Sequence, residues 1–136
     1  MDALEVGEAA WFEAAARKGL LWVAVAADDR PVGFALFERF PDSLHLEEVD
    51  VHPDAARRGL GRRLIEVAAE QARAAGERHI TLTTFRHVAW NAPYYARLGF
   101  RELPPEAWSP AIRERVAREA ADGLDPERRV VMQRDL

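Results

Sequence analysis

The chain has 136 residues, of which 49% are hydrophobic and 31% are charged, a balance typical of one compact domain with its own core. These values exclude a disordered or collagen-like chain, and the absence of cysteine excludes disulfides and thiolate chemistry. No apolar run approaches the roughly 20 residues that cross a bilayer, so we expect a soluble, cytoplasmic protein without a membrane partner. A net charge of -4 argues against nucleic-acid binding as the main task.

The N-terminal part of the chain predicts one helix followed by three strands. Apolar residues recur at helical spacing in Glu8–Lys18. Leu20–Ala27 and Val32–Arg39 are rich in β-branched and aromatic residues and flank a polar turn, so they predict an antiparallel hairpin. Leu44–Val51 predicts a third strand, which Pro53 ends because proline cannot donate to a strand ladder.

The most regular amphipathic pattern covers Leu60–Ala75, with apolar residues on one side and charged residues on the other. It predicts a helix that ends at Gly76. Apolar and threonine side chains then alternate through Ile80–Thr83, which predicts a strand. A strand, a four-turn helix and a further strand in succession predict a parallel βαβ unit with a right-handed crossover.

The C-terminal part predicts two helices and two short extended segments. Asn91 is placed to cap a short helix that ends at Gly99, and Phe100–Leu103 reads as extended. Ser109–Ala121 begins with a capping residue and a proline, so it predicts a second helix, and Val130–Met132 predicts the last strand. Because no linker or repeat interrupts these elements, we expect one α+β domain over residues 1–136.

Two glycines one residue apart, Gly59 and Gly61, open the central helix directly after the third strand. Such a turn points several unpaired N–H groups at one place, and neighbouring arginines add charged donors, so the pattern favours an anion site. A dinucleotide fingerprint needs a small residue where Leu64 stands, and a Walker loop needs Lys then Ser or Thr where Arg62 and Arg63 stand, so both are disfavoured. A plain helix start with solvated arginines is the alternative.

Around this loop the sequence resembles the Gcn5-related N-acetyltransferase (GNAT) family. The similar segments are the strand end Val49–Pro53 (VDVHP), the loop Arg57–Gly61 (RRGLG) and Asn91–Phe100 (NAPYYARLGF), and the resemblance extends from about Leu20 to Leu103. It implies an α/β/α sandwich around a mixed, mostly antiparallel sheet. The central parallel strands of that sheet splay apart after the glycine loop.

The resemblance also implies acetyl-CoA as co-substrate. It implies that the pyrophosphate lies on the backbone amides of the glycine loop, namely Arg57, Arg58, Gly59, Leu60, Gly61 and Arg62. The pantetheine arm would lie alongside Val49, Asp50 and Val51 and pair with the exposed strand, while Asn91 and Tyr95 match positions near the far end of the cofactor. The family usually carries Gln or Arg where this chain has Ala56. Since the cradle is mostly backbone, we expect weaker or rearranged binding rather than its loss.

Acetyl transfer to an amine needs a proton acceptor and a proton for the departing thiolate. Tyr95, four residues before Gly99, matches the family's thiolate-protonating tyrosine, and the alternative is simple packing, which we expect for Tyr94. The base remains open among three residues of the third strand, which are His45, Glu47 and Glu48. Strand alternation places His45 and Glu47 on one face and Glu48 and Asp50 on the other, unless a bulge shifts the phase. His45 falls where some relatives carry a glutamate base; solvated strand residues are the alternative for all three.

The sequence therefore predicts an N-acetyltransferase that moves an acetyl group to a primary amine by direct attack in a ternary complex. The acceptor is a small amine or amino compound, or else a protein lysine or N-terminus. A non-catalytic acyl-CoA-binding or sensing module is the competing hypothesis. The histidines are scattered without ligand spacing, so no metal is expected.

The N-terminal region is shorter than the resemblance implies. Family members usually begin with a strand and a helix pair that enclose the acceptor site, whereas only about 19 residues precede the first clear strand here. Three explanations stay open: an abbreviated member, a start that lies inside the natural chain, or a partner subunit that supplies the missing wall. Because a clipped sheet exposes an edge, a homodimer is one expected form.

Overall fold

The computed structural model describes residues 4–7, 19–26, 30–53, 59–86 and 91–136. They form one seven-stranded sheet with the order β1-β2-β3-β4-β5-β7-β6. The strands are β1 (Leu4–Gly7), β2 (Gly19–Ala26), β3 (Pro31–Phe40), β4 (Ser43–Val51), β5 (His79–Phe85), β6 (Arg101–Glu102) and β7 (Arg129–Asp135). The helices are α1 (Leu60–Ala74), α2 (Ala92–Arg97) and α3 (Pro110–Ala121), with 3-10 turns at Pro105–Ala107 and Pro126–Arg128.

The strands and helices predicted between β2 and β7 are present, with bounds shifted by no more than three residues. The sequence predicted only a helix before β2, and this was wrong. Leu4–Gly7 forms an edge strand antiparallel to β2. Four residues are too few for a periodic pattern to stand out, which explains why the sequence did not predict β1. The predicted helix Glu8–Lys18 lies outside the described residues.

The central parallel strands separate soon after they meet. β1 to β4 are antiparallel neighbours, as are β5, β7 and β6, while β4 and β5 run parallel. Within these two described strands the register holds two pairs, Leu44 with Ile80 and His45 with Thr81. β4 then continues to Val51 and β5 continues beyond the last pair, so the predicted splay is confirmed. Among the described residues, the separation leaves the backbone edge of β4 beyond His45 without a strand partner on the β5 side.

A β-bulge lies in β4 where the splay begins. Leu46 pairs with Phe37 of β3 and Glu48 pairs with Leu36, so Glu47 is the extra residue on β4. The bulge changes the alternation, since the side chains that pack toward α1 are Leu44, Leu46, Val49 and Val51. The simple alternation, which placed Glu48 and Asp50 on the opposite face from His45 and Glu47, therefore does not hold, and the stated exception for a bulge applies. All four side chains lie on the face turned away from α1.

The sheet is covered on both faces, but by layers of different character. α1 packs its apolar side on one face and builds the main core, whose α1 members are Leu60, Leu64, Ile65, Ala68, Ala69 and Ala72. α3 covers the other face over a small apolar cluster made of Phe40, Leu103, Ile112 and Val131. Ser109 caps α3 as predicted, accepting a hydrogen bond from the Ile112 amide at 3.2 Å. No helix in the described ranges has the length and apolar character needed to span a bilayer.

Candidate active site

The N-terminus of α1 is the candidate site for an anion. Gly59 precedes the helix with a φ of 70°, a left-handed conformation that favours glycine. The N-cap residue Gly59 has no side chain with which to cap this end, and the first turn of α1 contains no acidic residue. The first helical bond runs from the Arg63 amide to the Gly59 carbonyl at 3.0 Å, so the amides of Leu60, Gly61 and Arg62 precede the internal ladder. These amides and the helix dipole favour a negatively charged group.

Gly61 brings the helix start close to β4 and α2. A methyl group at Gly61 would lie 3.1 Å from the Tyr94 hydroxyl and 3.9 Å from a Val51 methyl carbon. The Tyr94 ring also lies under the Arg97 guanidinium, at 5.8 Å. Burial raises the pKa of Tyr94, while Arg97 and Arg62 oppose the shift. The sequence predicted only packing for Tyr94, and its place beside the glycine turn was missed.

Tyr95 is buried in the core beneath α1, with 8% of the residue exposed. Its ring contacts Tyr94 and Phe100 edge-on, with centroid distances of 5.2 Å and 5.8 Å. Burial and the neighbouring Tyr94 raise the pKa of Tyr95 to about 12. The phenol is therefore protonated throughout the neutral range, as a proton donor must be.

Asn91 stands at the start of α2, but its side chain makes no capping hydrogen bond, which contradicts the predicted cap. Its side-chain oxygen instead accepts a 2.7 Å hydrogen bond from the Thr84 hydroxyl. Thr84 is 5% exposed and lies on β5 beyond the last residue paired with β4. The bond therefore holds Asn91 beside the diverging end of β5.

His45 is enclosed in a polar network on the α3 side of the sheet. Its Nδ1 atom lies 2.9 Å from the Thr81 hydroxyl, which lies 3.1 Å from the Ser43 hydroxyl. The imidazole also stacks on Phe40, with a centroid distance of 4.6 Å. Burial, with a smaller contribution from Arg115, lowers the pKa of His45 to about 3. The imidazole is therefore neutral near pH 7 and weak as a proton acceptor.

The buried neutral imidazole makes stability depend on pH. At pH values between about 3, the pKa of His45 in the folded protein, and about 6.5, the ordinary histidine pKa, His45 is protonated in the unfolded chain but neutral in the native protein. We expect this group to lower the free energy of unfolding by up to about 1.4 kcal/mol for each pH unit as pH falls through that range. Urea denaturation at pH 7, 6, 5 and 4 should show a shallower loss for His45→Gln. Equal slopes in the wild type and in His45→Gln would contradict the prediction.

A charged cluster joins α3 to the bulge in β4. Arg115 donates to Glu47 and, at 2.7 Å, to Glu38 of β3, and its guanidinium lies 5.4 Å from the Phe40 ring centre. The Arg115 side chain is 9% exposed, whereas Glu47 is 26% exposed and Glu38 is 46% exposed. Burial raises the pKa of Glu47, and Glu38 adds to that effect while Arg115 opposes it. Glu38 is also desolvated, but hydrogen bonds from Glu47 and Arg115 hold its pKa below the ordinary value.

Arg115 and Glu38 were missed from the sequence. The pairing of a helix residue with two strand carboxylates depends on tertiary packing that no local pattern records. Glu48 and Asp50 are exposed on the same face of the sheet. The predicted anion-site residues Arg57 and Arg58, with Ala56, lie outside the described residues. Within the described ranges, no three His, Asp or Glu side chains are grouped to hold a metal ion.

Comparison with known proteins decides the family. The model of the acetyltransferase (GNAT) family matches residues 2–100. The chain belongs to the GNAT family. The match includes all three segments where the sequence resembles that family, which are the strand end, the glycine loop and the tyrosine segment.

Solved structures support the same fold. A GNAT-family acetyltransferase from Staphylococcus aureus Mu50 is 14% identical, with a TM-score of 0.74, over 98% of this chain and 99% of that protein. The ribosomal-protein-S18-alanine N-acetyltransferase from Escherichia coli is 17% identical, with a TM-score of 0.67, over 99% and 94%. N-acetylglutamate synthase from Neisseria gonorrhoeae, solved with coenzyme A and N-acetyl-glutamate, is 15% identical with a TM-score of 0.75; all of this chain aligns, but it spans 36% of that protein.

Proposed function

We propose that this protein transfers an acetyl group from acetyl-CoA to a primary amine, by direct attack within a ternary complex. The observation that carries the proposal is the separation of β4 from β5 beside the left-handed glycine turn that begins α1. An extended chain ending in a diphosphate needs these two features next to each other: a free strand edge to pair with and a set of unpaired amides to bind the charge.

The residues present fit acetyl-CoA. The amides of Gly59, Leu60, Gly61 and Arg62 would bind the diphosphate, with Arg57 and Arg58 adding positive charge. Val49, Asp50 and Val51 supply the strand edge for the pantetheine arm, and Asn91 and Tyr95 lie on the segment that follows β5. When bound, the coenzyme supplies an activated thioester. The protein's own task is to hold that thioester, take a proton from the amine and return one to the thiolate.

We assign the role of base to Glu47 and the role of acid to Tyr95. The acceptor ammonium gives one proton to Glu47, and the resulting amine forms a C–N bond to the acetyl carbon while the C–S bond breaks. The thiolate takes a proton from the Tyr95 hydroxyl, and the second amine proton that is lost on amide formation restores the phenol through solvent. The products are one amide, one thiol and one proton. That proton passes from Glu47 to solvent.

Glu47 is the best base of the three candidates on β4. It is the bulge residue at the point where the strands separate, and burial raises its pKa toward the working range. His45 is buried against Thr81 with a pKa of about 3, so it is a weaker acceptor of protons at neutral pH. Glu48 pairs in register with Leu36 beyond the bulge, and we assign it a role at the entrance for the amine.

The acidic character of this face supports a cationic acceptor. Glu47, Glu48 and Asp50 lie on the same face of β4, and in the described residues Arg115 is already paired with Glu38 and Glu47. An ammonium group entering here would meet net negative charge, whereas a carboxylate would be repelled. We therefore propose a small cationic amine, with a peptide amino terminus as the next class to test.

Thermal unfolding with acetyl-CoA tests the cofactor site. At about 100 times the dissociation constant, specific binding should stabilise the protein by about 2.7 kcal/mol. Gly59→Ala should weaken this binding about tenfold, because the left-handed turn before α1 then becomes strained and its amides lose their alignment. Gly76→Ala is the matched control: Gly76 also has a positive φ and open space around it, but it lies at the other end of α1.

The expected result is that both alanine variants lose stability while only Gly59→Ala loses affinity. Absence of any stabilisation by acetyl-CoA would overturn the cofactor assignment. Thiol release is then measured with spermidine, L-glutamate and an alanine-initiated peptide, and we expect the fastest release with spermidine. Binding without thiol release from any amine would favour an acyl-CoA-sensing role.

A further inference from the structure

We propose that Arg115 of α3 is a positioning residue that holds Glu47 at the point of strand separation and, together with Glu38, makes the cluster an acceptor of one proton. The inference rests on the proposed acetyl transfer, because it assigns the partners of its base. It is carried by the way one guanidinium spans two carboxylates across β3 and β4.

The geometry requires a planar fork. One terminal nitrogen of Arg115 donates to Glu47 and the other donates to Glu38 at 2.7 Å, so both carboxylates have a fixed orientation relative to the sheet. The Phe40 ring lies against the guanidinium at 5.4 Å and limits its movement. Arg115 is 8% exposed, and among the described residues its Nε atom is buried without a hydrogen-bond partner. Burying a guanidinium with an unpaired N–H group costs desolvation free energy, which helix packing alone does not require. This favours a role for the two hydrogen bonds to Glu47 and Glu38.

The charge balance explains what the cluster does. Two carboxylates and one guanidinium carry a net charge of -1, and uptake of one proton makes the cluster neutral in a partly buried place. The described charged groups that act on Glu47 are Glu38 from β3 and Arg115 from α3, and the neutral His45 of β4 interacts with Glu38 and Arg115. Glu47 is the natural site for the proton, because its pKa is raised while that of Glu38 is lowered.

The two partners of Glu47 act on it in opposite directions, and this opposition gives the test. Arg115→Met removes the positive charge, so the pKa of Glu47 rises. The acid limb, which is the part of the kcat/KM profile where activity increases with pH as Glu47 loses its proton, then moves to higher pH. Glu38→Gln removes the neighbouring negative charge, so the acid limb moves to lower pH. A helix residue with a merely structural role would not produce shifts of opposite sign from these two changes.

Glu119→Gln is the matched control. Glu119 lies one turn after Arg115 on α3 and pairs with Arg129 of β7 at 3.2 Å, so it also fastens α3 to the sheet without contacting Glu47. We expect Glu119→Gln to lose stability but to keep the wild-type acid limb. In Arg115→Lys the acid limb should lie between its positions in Arg115→Met and in the wild type, because the positive charge is kept. The value of kcat should stay low, because one ammonium group cannot span both carboxylates as the guanidinium does.

The experiment combines kinetics with direct titration in the full chain. Acetyl-CoA and the most reactive of the three amines above give kcat and KM against pH; Arg115→Met should lose about 10²-fold in kcat with little change in the KM for acetyl-CoA. Carboxyl ¹³C NMR, with Glu47 assigned from Glu47→Gln, measures its titration without any acceptor. Opposite shifts in Arg115→Met and Glu38→Gln support the proposal, and a Glu47 titration unchanged in Glu38→Gln overturns it even where Arg115→Met fails to fold. Absence of thiol release in the wild type would instead defeat the proposed acetyl transfer, because the titration needs no turnover.

Discussion

Replacing Tyr95 with phenylalanine should lower kcat by about 10² to 10⁴-fold while leaving the affinity for acetyl-CoA almost unchanged. The change removes one oxygen and keeps the ring, which packs against Tyr94 and Phe100. Since the pKa of Tyr95 is about 12, the wild-type phenol is protonated at every pH at which the protein is assayed. The loss should therefore be the same at pH 7 and pH 9. Thiol release and acetyl-CoA binding, measured on one preparation, check both parts.

Tyr94→Phe is the comparison for this variant, because it removes the hydroxyl oxygen from the preceding residue of α2. The Tyr94 hydroxyl faces Gly61 at the start of α1, so its loss should change the KM for acetyl-CoA and leave kcat within about threefold. Equal turnover in wild type and Tyr95→Phe would remove Tyr95 from the reaction. A large fall in kcat for Tyr94→Phe alone would transfer the role of acid to Tyr94.

Periodic patterns were enough to predict most of the fold. The amphipathic repeat of α1 and the capping pair Ser109-Pro110 of α3 are local signals that tertiary packing reinforces, and both helices lie where they were predicted. The parallel βαβ unit followed from the order of elements and its splay from the family resemblance. The sequence did not predict β1, because a strand of four residues is too short to show a clear alternation of apolar and polar side chains.

The site could be predicted only where its chemistry is local. The glycine turn is a property of neighbouring residues, so the start of α1 directly after Gly59 could be predicted. The bulge at Glu47 is a property of two strands in register, and one extra residue moved Glu48 and Asp50 to the other face from the predicted one. Arg115 is 68 residues from Glu47 in the chain, and only the docking of α3 on the sheet brings them together. Asn91 likewise bonds to Thr84 across the β5–α2 connection instead of capping its own helix.

Replacing Glu47 with glutamine should lower kcat by about 10² to 10⁴-fold near neutral pH, because the amide cannot accept the proton that the amine must lose. In the wild type, activity should rise as pH increases through the pKa of Glu47, which burial places above the ordinary carboxyl value. That acid limb should be missing from Glu47→Gln, whose remaining rate should increase with pH only as the free amine itself becomes more abundant. The measurement is thiol release from pH 5 to pH 10 at saturating acetyl-CoA.

Glu48→Gln is the matched control, since it makes the same change on the adjacent residue of β4. Glu48 pairs in register with Leu36, whereas Glu47 is the bulge residue held by Arg115. We expect Glu48→Gln to keep the acid limb and to raise mainly the KM of a cationic acceptor, because it removes negative charge from the entrance. If Glu48→Gln lost the acid limb and Glu47→Gln kept it, Glu48 would be the base, and the cluster around Arg115 would serve only to fasten α3 to the sheet.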